Sequence, residues 1–175
     1  MISDEALMIE FRGGSWEALE ELFARYREPL YGFFRRRLAS SERAEDLTQE
    51  TFLAIIRATS RYEPRALVRT YLYGIALKLV AAERRRQQRS TPAPQPSGLE
   101  PAIHQEQDAG LWVREALEKL EEQEREILML REYERLSYAE IAGLLRLPVN
   151  TVRSRLFRSR MALKNFLEPE LREVK

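Results

Sequence analysis

The chain has no cysteine and a single histidine among its 175 residues. Without cysteine there is no disulfide and no thiolate metal site, and His104, flanked by glutamines and prolines, has no ligand cluster around it. Zinc chemistry and a cysteine nucleophile are excluded, and no metal or cofactor is expected. No apolar run approaches the ~20 residues that cross a bilayer. The opening MISDEALMIEF lacks the basic and apolar regions of an export signal. A soluble, cytoplasmic protein is therefore expected. Strand signals are scarce too: there is no alternating β-branched run and no Asn-Gly or Asp-Gly hairpin turn.

What is present is helical periodicity, and an apolar content of 44% supports a core in one ordinary domain or two small ones. A first helix is expected from Ser3 to Arg12, ending at Gly13-Gly14. Ser15 caps a second, and Pro29 opens a new first turn before LYGFFRRRLA. Ser40 or Ser41 caps a third helix, and Pro64 sits in the first turn of a fourth that reaches about Arg89. Four of the eight prolines then fall between Pro92 and Pro101. Such a stretch cannot be helical and has little to bury, so 90–110 is expected to be a flexible linker. Beyond it, helices are expected from about Leu111 to Leu120 and Gln123 to Tyr133, with two more from near Ser137 and Pro148. The fold class is all-α: two small helical domains, 1–89 and 111–170, on a Pro-rich linker.

The net charge of +1 conceals an uneven distribution. Ile55 to Arg89 holds nine basic and two acidic residues, and Val149 to Lys164 holds five basic and no acidic ones. Glu121 to Glu140, in contrast, carries seven Glu against three Arg. Two separate basic surfaces are the footprint of a polyanion partner, nucleic acid above all, although a basic helix also suits a membrane surface.

The strongest local motif is LSYAEIAGLLRLPVNTVRSRLFRSRMAL, Leu136 to Leu163. Ser137 with Glu140 fits a capping box, and Ile141, Ala142, Leu144 and Leu145 form a buried side. A short turn at Arg146 and Leu147 has arginine where glycine is common, at a cost of roughly 1 kcal/mol. In the next helix Val149, Val152, Leu156 and Leu163 recur at helical spacing, while Asn150, Arg153, Ser154, Phe157 and Arg158 face outward. Two helices on a tight turn, the second basic and rich in hydrogen-bonding side chains, make a helix-turn-helix whose second helix fits the DNA major groove.

Two further patterns call for a partner. In AEDLTQETF, Asp46, Gln49, Glu50 and Arg57 share one stripe, opposite Leu47, Thr51, Phe52, Ile55 and Ile56. In RTYLYGIALKLVAAERRRQQR, Leu72, Ile75, Ala76 and Leu79 read as core. Tyr71 and Tyr73 with Lys78, Arg84, Arg85 and Arg86 combine flat rings with cations, a mixture suited to single-stranded or melting DNA, though either ring also suits a core with a wet hydroxyl.

Read in order, AEDLTQETFLAII, the YLYGIA helix with its Arg run, the Pro-rich stretch and LSYAEIAGLLRLPVNTVRSRLFRSR resemble a bacterial RNA polymerase sigma factor of the extracytoplasmic-function (ECF) group. The resemblance covers nearly the whole chain. It implies that 1–89 is sigma domain two, which binds core RNA polymerase and opens the minus-ten element, and that 111–170 is sigma domain four, which reads the minus-thirty-five element. Asp46, Gln49, Glu50 and Leu53 would meet the clamp helices of the largest catalytic polymerase subunit. Tyr71, Tyr73, Lys78, Arg84, Arg85 and Arg86 would hold minus-ten DNA. Asn150, Thr151, Arg153, Ser154, Arg155, Phe157 and Arg158 would hold minus-thirty-five DNA. Tyr71 replaces the usual Trp, Lys78 a common Asn and Ala82 a common Asp. An anti-sigma factor, membrane-tethered, is the further partner implied. No catalysis and no small-molecule substrate are expected. A helix-turn-helix regulator that works without polymerase would leave the Asp46 stripe and the Arg84 run without work. A nuclease would need an acid-base or metal site that the scattered, Arg-flanked acids do not supply.

Overall fold

The structure, a computed structural model, describes residues 2–63, 67–90 and 109–171. These form eight α-helices and one 3-10 turn, with no strand among the described residues. The chain divides into two compact units, Met1–Ala102 and Ile103–Lys175.

The first unit is built from α1 (Asp4–Arg12), α2 (Trp16–Arg35), α3 (Ser41–Ala58) and α4 (Val68–Ser90). Serines start the first three: Ser3, Ser15 and Ser40 accept from the backbone N–H groups of Ala6, Ala18 and Arg43, satisfying donors that the first helical turn leaves open. Leu22, Leu30, Phe33, Phe34, Leu47, Ile55 and Leu72 are fully buried between the helices. Side chains of α1 tie the unit together, since Glu5 accepts from the Val68 N–H at 3.1 Å and Asp4 accepts from Arg25 at 2.7 Å and from the Tyr26 hydroxyl.

Two expectations are corrected here. Pro29 does not open a helix but lies inside α2, which runs unbroken for 20 residues. A proline within a helix costs roughly 3 kcal/mol. Leu22 before it and Leu30, Phe33 and Phe34 after it are buried on one face, and each buried side chain of this size returns about 1.5–3 kcal/mol. Likewise α4 begins at Val68 rather than at Pro64, after a 3-10 turn at Thr59–Arg61 and extended backbone at Tyr62. Pro64 itself lies outside the described residues.

The second unit comprises α5 (Ala109–Glu118), α6 (Glu122–Glu132), α7 (Tyr138–Leu145) and α8 (Val149–Leu171). Helices α5, α6 and α7 all pack on α8, around Ile127, Leu130, Leu136, Ile141, Val152 and Leu156. Ser90 belongs to α4, and Ala109 and Gly110 belong to α5. The remainder of the expected linker lies outside the described residues.

Candidate functional site

Three exposed faces carry the residues singled out from the sequence. On α3, the buried side consists of Ala44, Leu47, Thr48, Thr51, Phe52 and Ile55. Its two threonines belong there because their hydroxyls donate to the carbonyls of Ala44 and Leu47 at 2.7 and 2.8 Å, so no buried polar atom goes unpaired. The opposite side exposes Asp46, Gln49, Glu50, Leu53 and Arg57. Leu53, 48% exposed, places an apolar side chain in this polar row. Asp46 accepts from Arg43 at 3.0 Å. Next to the row, Phe23, Arg27, Tyr31, Glu45 and Gln49 line a groove of about 200 Å³ between α2 and α3, in which Phe23 meets Phe52 edge-to-face at 4.8 Å. The α2 side of this groove was not singled out from the sequence. On α2 it is marked by Phe23, an aromatic 36% exposed, while Leu19, Leu22, Leu30, Phe33 and Phe34 of the same helix are buried.

The second face belongs to α4. Tyr71, Lys78 and Arg85 recur every seven residues, so they fall within one narrow stripe. Lys78, Ala81, Ala82 and Arg85 are exposed along it. Tyr71 is half-buried against Tyr62, 5.6 Å between ring centroids. Tyr73, in contrast, is a core residue: only 4% exposed, its ring lies 5.5 Å from that of Phe33. The expectation that it offers a flat face to DNA is therefore corrected. Two positions from Tyr71 lie about 200° apart on a helix, so the two rings cannot share a face. Ile75 and Leu79 are half-buried, and Val68 and Val80 take the core positions instead.

The sole acid between Tyr71 and Arg89 is Glu83, and it is 4% exposed. Its carboxylate accepts from Arg43 of α3 at 2.8 and 3.3 Å, from Arg86 at 2.9 Å and from Gln87 at 3.4 Å. Arg43, and after it Arg86, hold the carboxyl down at about 2, against the opposing effect of burial. Glu83 thus staples α4 to α3. Arg85 and Lys78 form no ion pair among the described residues. Arg84 is half-buried and Arg86 exposed.

The third face is the α7-turn-α8 motif. Ser137 accepts from the Glu140 N–H at 3.2 Å while Glu140 accepts from the Ser137 N–H at 2.8 Å, the expected capping box. Arg146 adopts a left-handed conformation, φ 54° and ψ 47°, which lets the Leu147 N–H reach the Ala142 carbonyl at 3.0 Å. On α8, Asn150, Arg153, Ser154, Phe157 and Arg158 are exposed, and Thr151 and Arg155 are half-buried at the flank. Phe157 is 66% exposed. Val149 departs from its expected core position, being 40% exposed. In the first turn it precedes the point where α8 meets α6, and Val152 and Leu156 fill that contact. Leu144, Leu145 and Leu163 are half-buried.

Pairing of the α8 cations is invisible in the sequence. Arg155 donates to Gln123, Arg158 lies 3.6 Å from Glu124, and Arg160 donates to Glu132 at 2.5 Å. Arg153 forms no ion pair among the described residues. Those described residues also contain no cluster of metal-ligating side chains, and no described helix is long and apolar enough to cross a membrane.

Residues 22–90 match the family model for sigma-70 region 2, and residues 110–163 match that for sigma-70 region 4. The RNA polymerase sigma-H factor of Pseudomonas aeruginosa is 32% identical across 98% of this chain and 97% of its own length. The ECF RNA polymerase sigma-E factor of Escherichia coli K12 is 29% identical over the same shares. Among solved structures, the sigma factor RpoE of Bartonella quintana, described in complex with the anti-sigma factor NepR, shares the fold with a TM-score of 0.72. That match has 21% identity and covers 85% of this chain and 96% of the other. Region 2 spans α2 to α4, with the α3 and α4 faces, and region 4 spans the unit that ends in the helix-turn-helix. With that order preserved along nearly the full length of its relatives, the chain belongs to the RNA polymerase sigma factors, in their ECF group.

Proposed function

We propose that this sigma factor docks on the clamp helices of the largest catalytic subunit of core RNA polymerase through Asp46, Gln49, Glu50 and Leu53 of α3. In this reading 1–89 is domain two, 90–110 the linker and 111–170 domain four. The stripe of Tyr71, Lys78 and Arg85 on α4, with Arg84 at its flank, receives the minus-ten strand as it unpairs. Tyr73 supports that stripe from within the core, and Arg86 stands behind it, tied to Glu83. In domain four, Asn150, Arg153, Ser154, Phe157 and Arg158 enter the major groove of the minus-thirty-five element, with Thr151 and Arg155 at the edge. The observation that carries the reading is the pair of faces in the first unit: an exposed polar row with an apolar residue in it, and beside it a basic stripe whose one neighbouring acid is buried.

The protein works where RNA polymerase works, in the cytoplasm. It has no catalytic activity and uses no cofactor or small-molecule substrate. An anti-sigma factor controls it. What supports that partner is the complex described for the Bartonella quintana relative, which has the same fold.

The test is permanganate footprinting of a promoter selected by the reconstituted holoenzyme, with this chain alone, core alone and both together. Each small domain alone offers DNA only a single module's surface and binds its promoter element weakly, and docking on core supplies the effective concentration. Reactive thymines in the minus-ten element are expected only in the mixture. Tight sequence-specific binding by the chain alone, unchanged by core, would overturn the reading.

A further inference from the structure

Glu83 is the one carboxylate on α4, and four hydrogen bonds converge on it from Arg43, Arg86 and Gln87. Arg43 cannot neutralise it alone, because the same guanidinium also donates to Asp46 at 3.0 Å. Two carboxylates, Asp46 and Glu83, are thus set against two guanidiniums, Arg43 and Arg86, and the cluster is neutral within itself. Glu83 is buried and Arg86 exposed, so water screens the pull on Arg86 less than it would between two exposed partners. One residue earlier, Arg85 lies on the open stripe with Lys78 and has no such tie.

We propose that Glu83 is a specificity-determining residue for single-strand capture: it withholds Arg86 from DNA phosphates and leaves Lys78 and Arg85 to meet the strand. The proposal rests on the reading above that the open face of α4 receives single-stranded DNA. Its physical logic is counterion release. Sequence-independent affinity for a single strand grows with each cation free to replace a condensed ion, about 0.7 in the slope of log K against log salt per phosphate. A released Arg86 next to Arg85 would add to the binding of any strand, whereas the internal anion beside it lowers that indiscriminate affinity. The aromatic and hydrogen-bonding contacts to bases keep their full effect.

The experiment uses the full chain without polymerase and a fluorescein-labelled oligothymidylate, read by anisotropy across a salt series. It therefore holds or fails independently of the footprinting assay. Glu83→Gln is expected to bind several-fold more tightly at low salt, with a slope steeper by about 0.7. Glu83→Gln combined with Arg86→Ala is expected to return to the wild-type slope. A gain that survives in the double variant would show a general field effect and overturn the proposal. So would the absence of any gain in a folded Glu83→Gln protein, or of measurable binding by every variant. If Glu83→Gln fails to fold, Arg85→Ala and Arg86→Ala in the native background decide the matter. The first is expected to reduce the slope by about 0.7 and the second to leave it near wild type. Equal reductions would overturn the proposal.

Discussion

On α3 the exposed row of Asp46, Gln49, Glu50 and Leu53 is crossed by one internal tie, from Arg43 to Asp46. On α8, by contrast, three of the four arginines between positions 153 and 160 are tied to α6, through Gln123, Glu124 and Glu132. The first unit presents polar groups that are largely uncommitted, and the second presents cations that an intruding phosphate must first detach. Exposed ion pairs are worth at most about 1 kcal/mol, so the detachment is cheap but not free. Counting basic residues along a sequence therefore overstates how many phosphates a recognition helix neutralises.

The largest effect expected to break this comparison is acid. Glu83 titrates at about 2 in the folded chain against an ordinary 4.5. A depressed carboxylate contributes stability that is complete above the unfolded value and lost as pH falls through the folded one. The first unit should thus lose about 3 kcal/mol between pH 4.5 and pH 2. Calorimetry across that window should show its transition falling, and Glu83→Gln should flatten the dependence. The next effect sharpens the contrast from the other side of Arg43. Changing Asp46, Gln49 and Glu50 together to Ala should move stability by no more than ~0.5 kcal/mol, since exposed substitutions rarely do more. Affinity for core polymerase should fall at least ~10-fold, about 1.4 kcal/mol. A collapsed thermal midpoint would mean that the row is structural.

For the second unit the expected effect is a change in salt dependence. Arg153→Ala should reduce the slope for duplex binding by about 0.9, the value for one phosphate, because nothing inside the unit competes for that guanidinium. Arg160→Ala should reduce it by less, since Glu132 already holds the charge. Equal slopes would erase the distinction between tied and untied cations. The smallest effect lies in the turn between α7 and α8. Arg146 occupies left-handed backbone at φ 54°, and Arg135 does the same before α7. Arg146→Gly should raise the second unit's stability by about 0.5–1 kcal/mol, read from chemical denaturation, while the first unit's transition stays fixed.

How far these features were legible depends on their range. Signals that act within one helical turn were readable: the Ser15, Ser40 and Ser137 caps, the Ser137 and Glu140 box, the left-handed turn at Arg146 and the two sides of α3. Signals decided by packing across the unit were not. Pro29 obeys a local rule that the common buried face of Leu22, Leu30 and Phe33 overrides. Helical spacing puts Tyr71 and Tyr73 on different faces, but which of the two is buried is decided by the packing of Tyr73 on Phe33. The pairs Arg43 with Glu83 and Arg160 with Glu132 join residues 40 and 28 positions apart. No periodicity along one helix reports them, so the basic run at Arg84 to Arg86 read as three equal charges when the fold treats them differently.

The length of α7 has a consequence for motion. At eight residues it is well below the ~12–15 that an isolated helix needs to persist in water, and even a capping box adds only about 1 kcal/mol. Its order is lent by α6 and α8, where Ile141 and Ala142 are buried. The amide hydrogens of α7 are therefore expected to lose protection together with those of α6 and α8 rather than as an independent helix, an outcome that hydrogen exchange on the second unit would read.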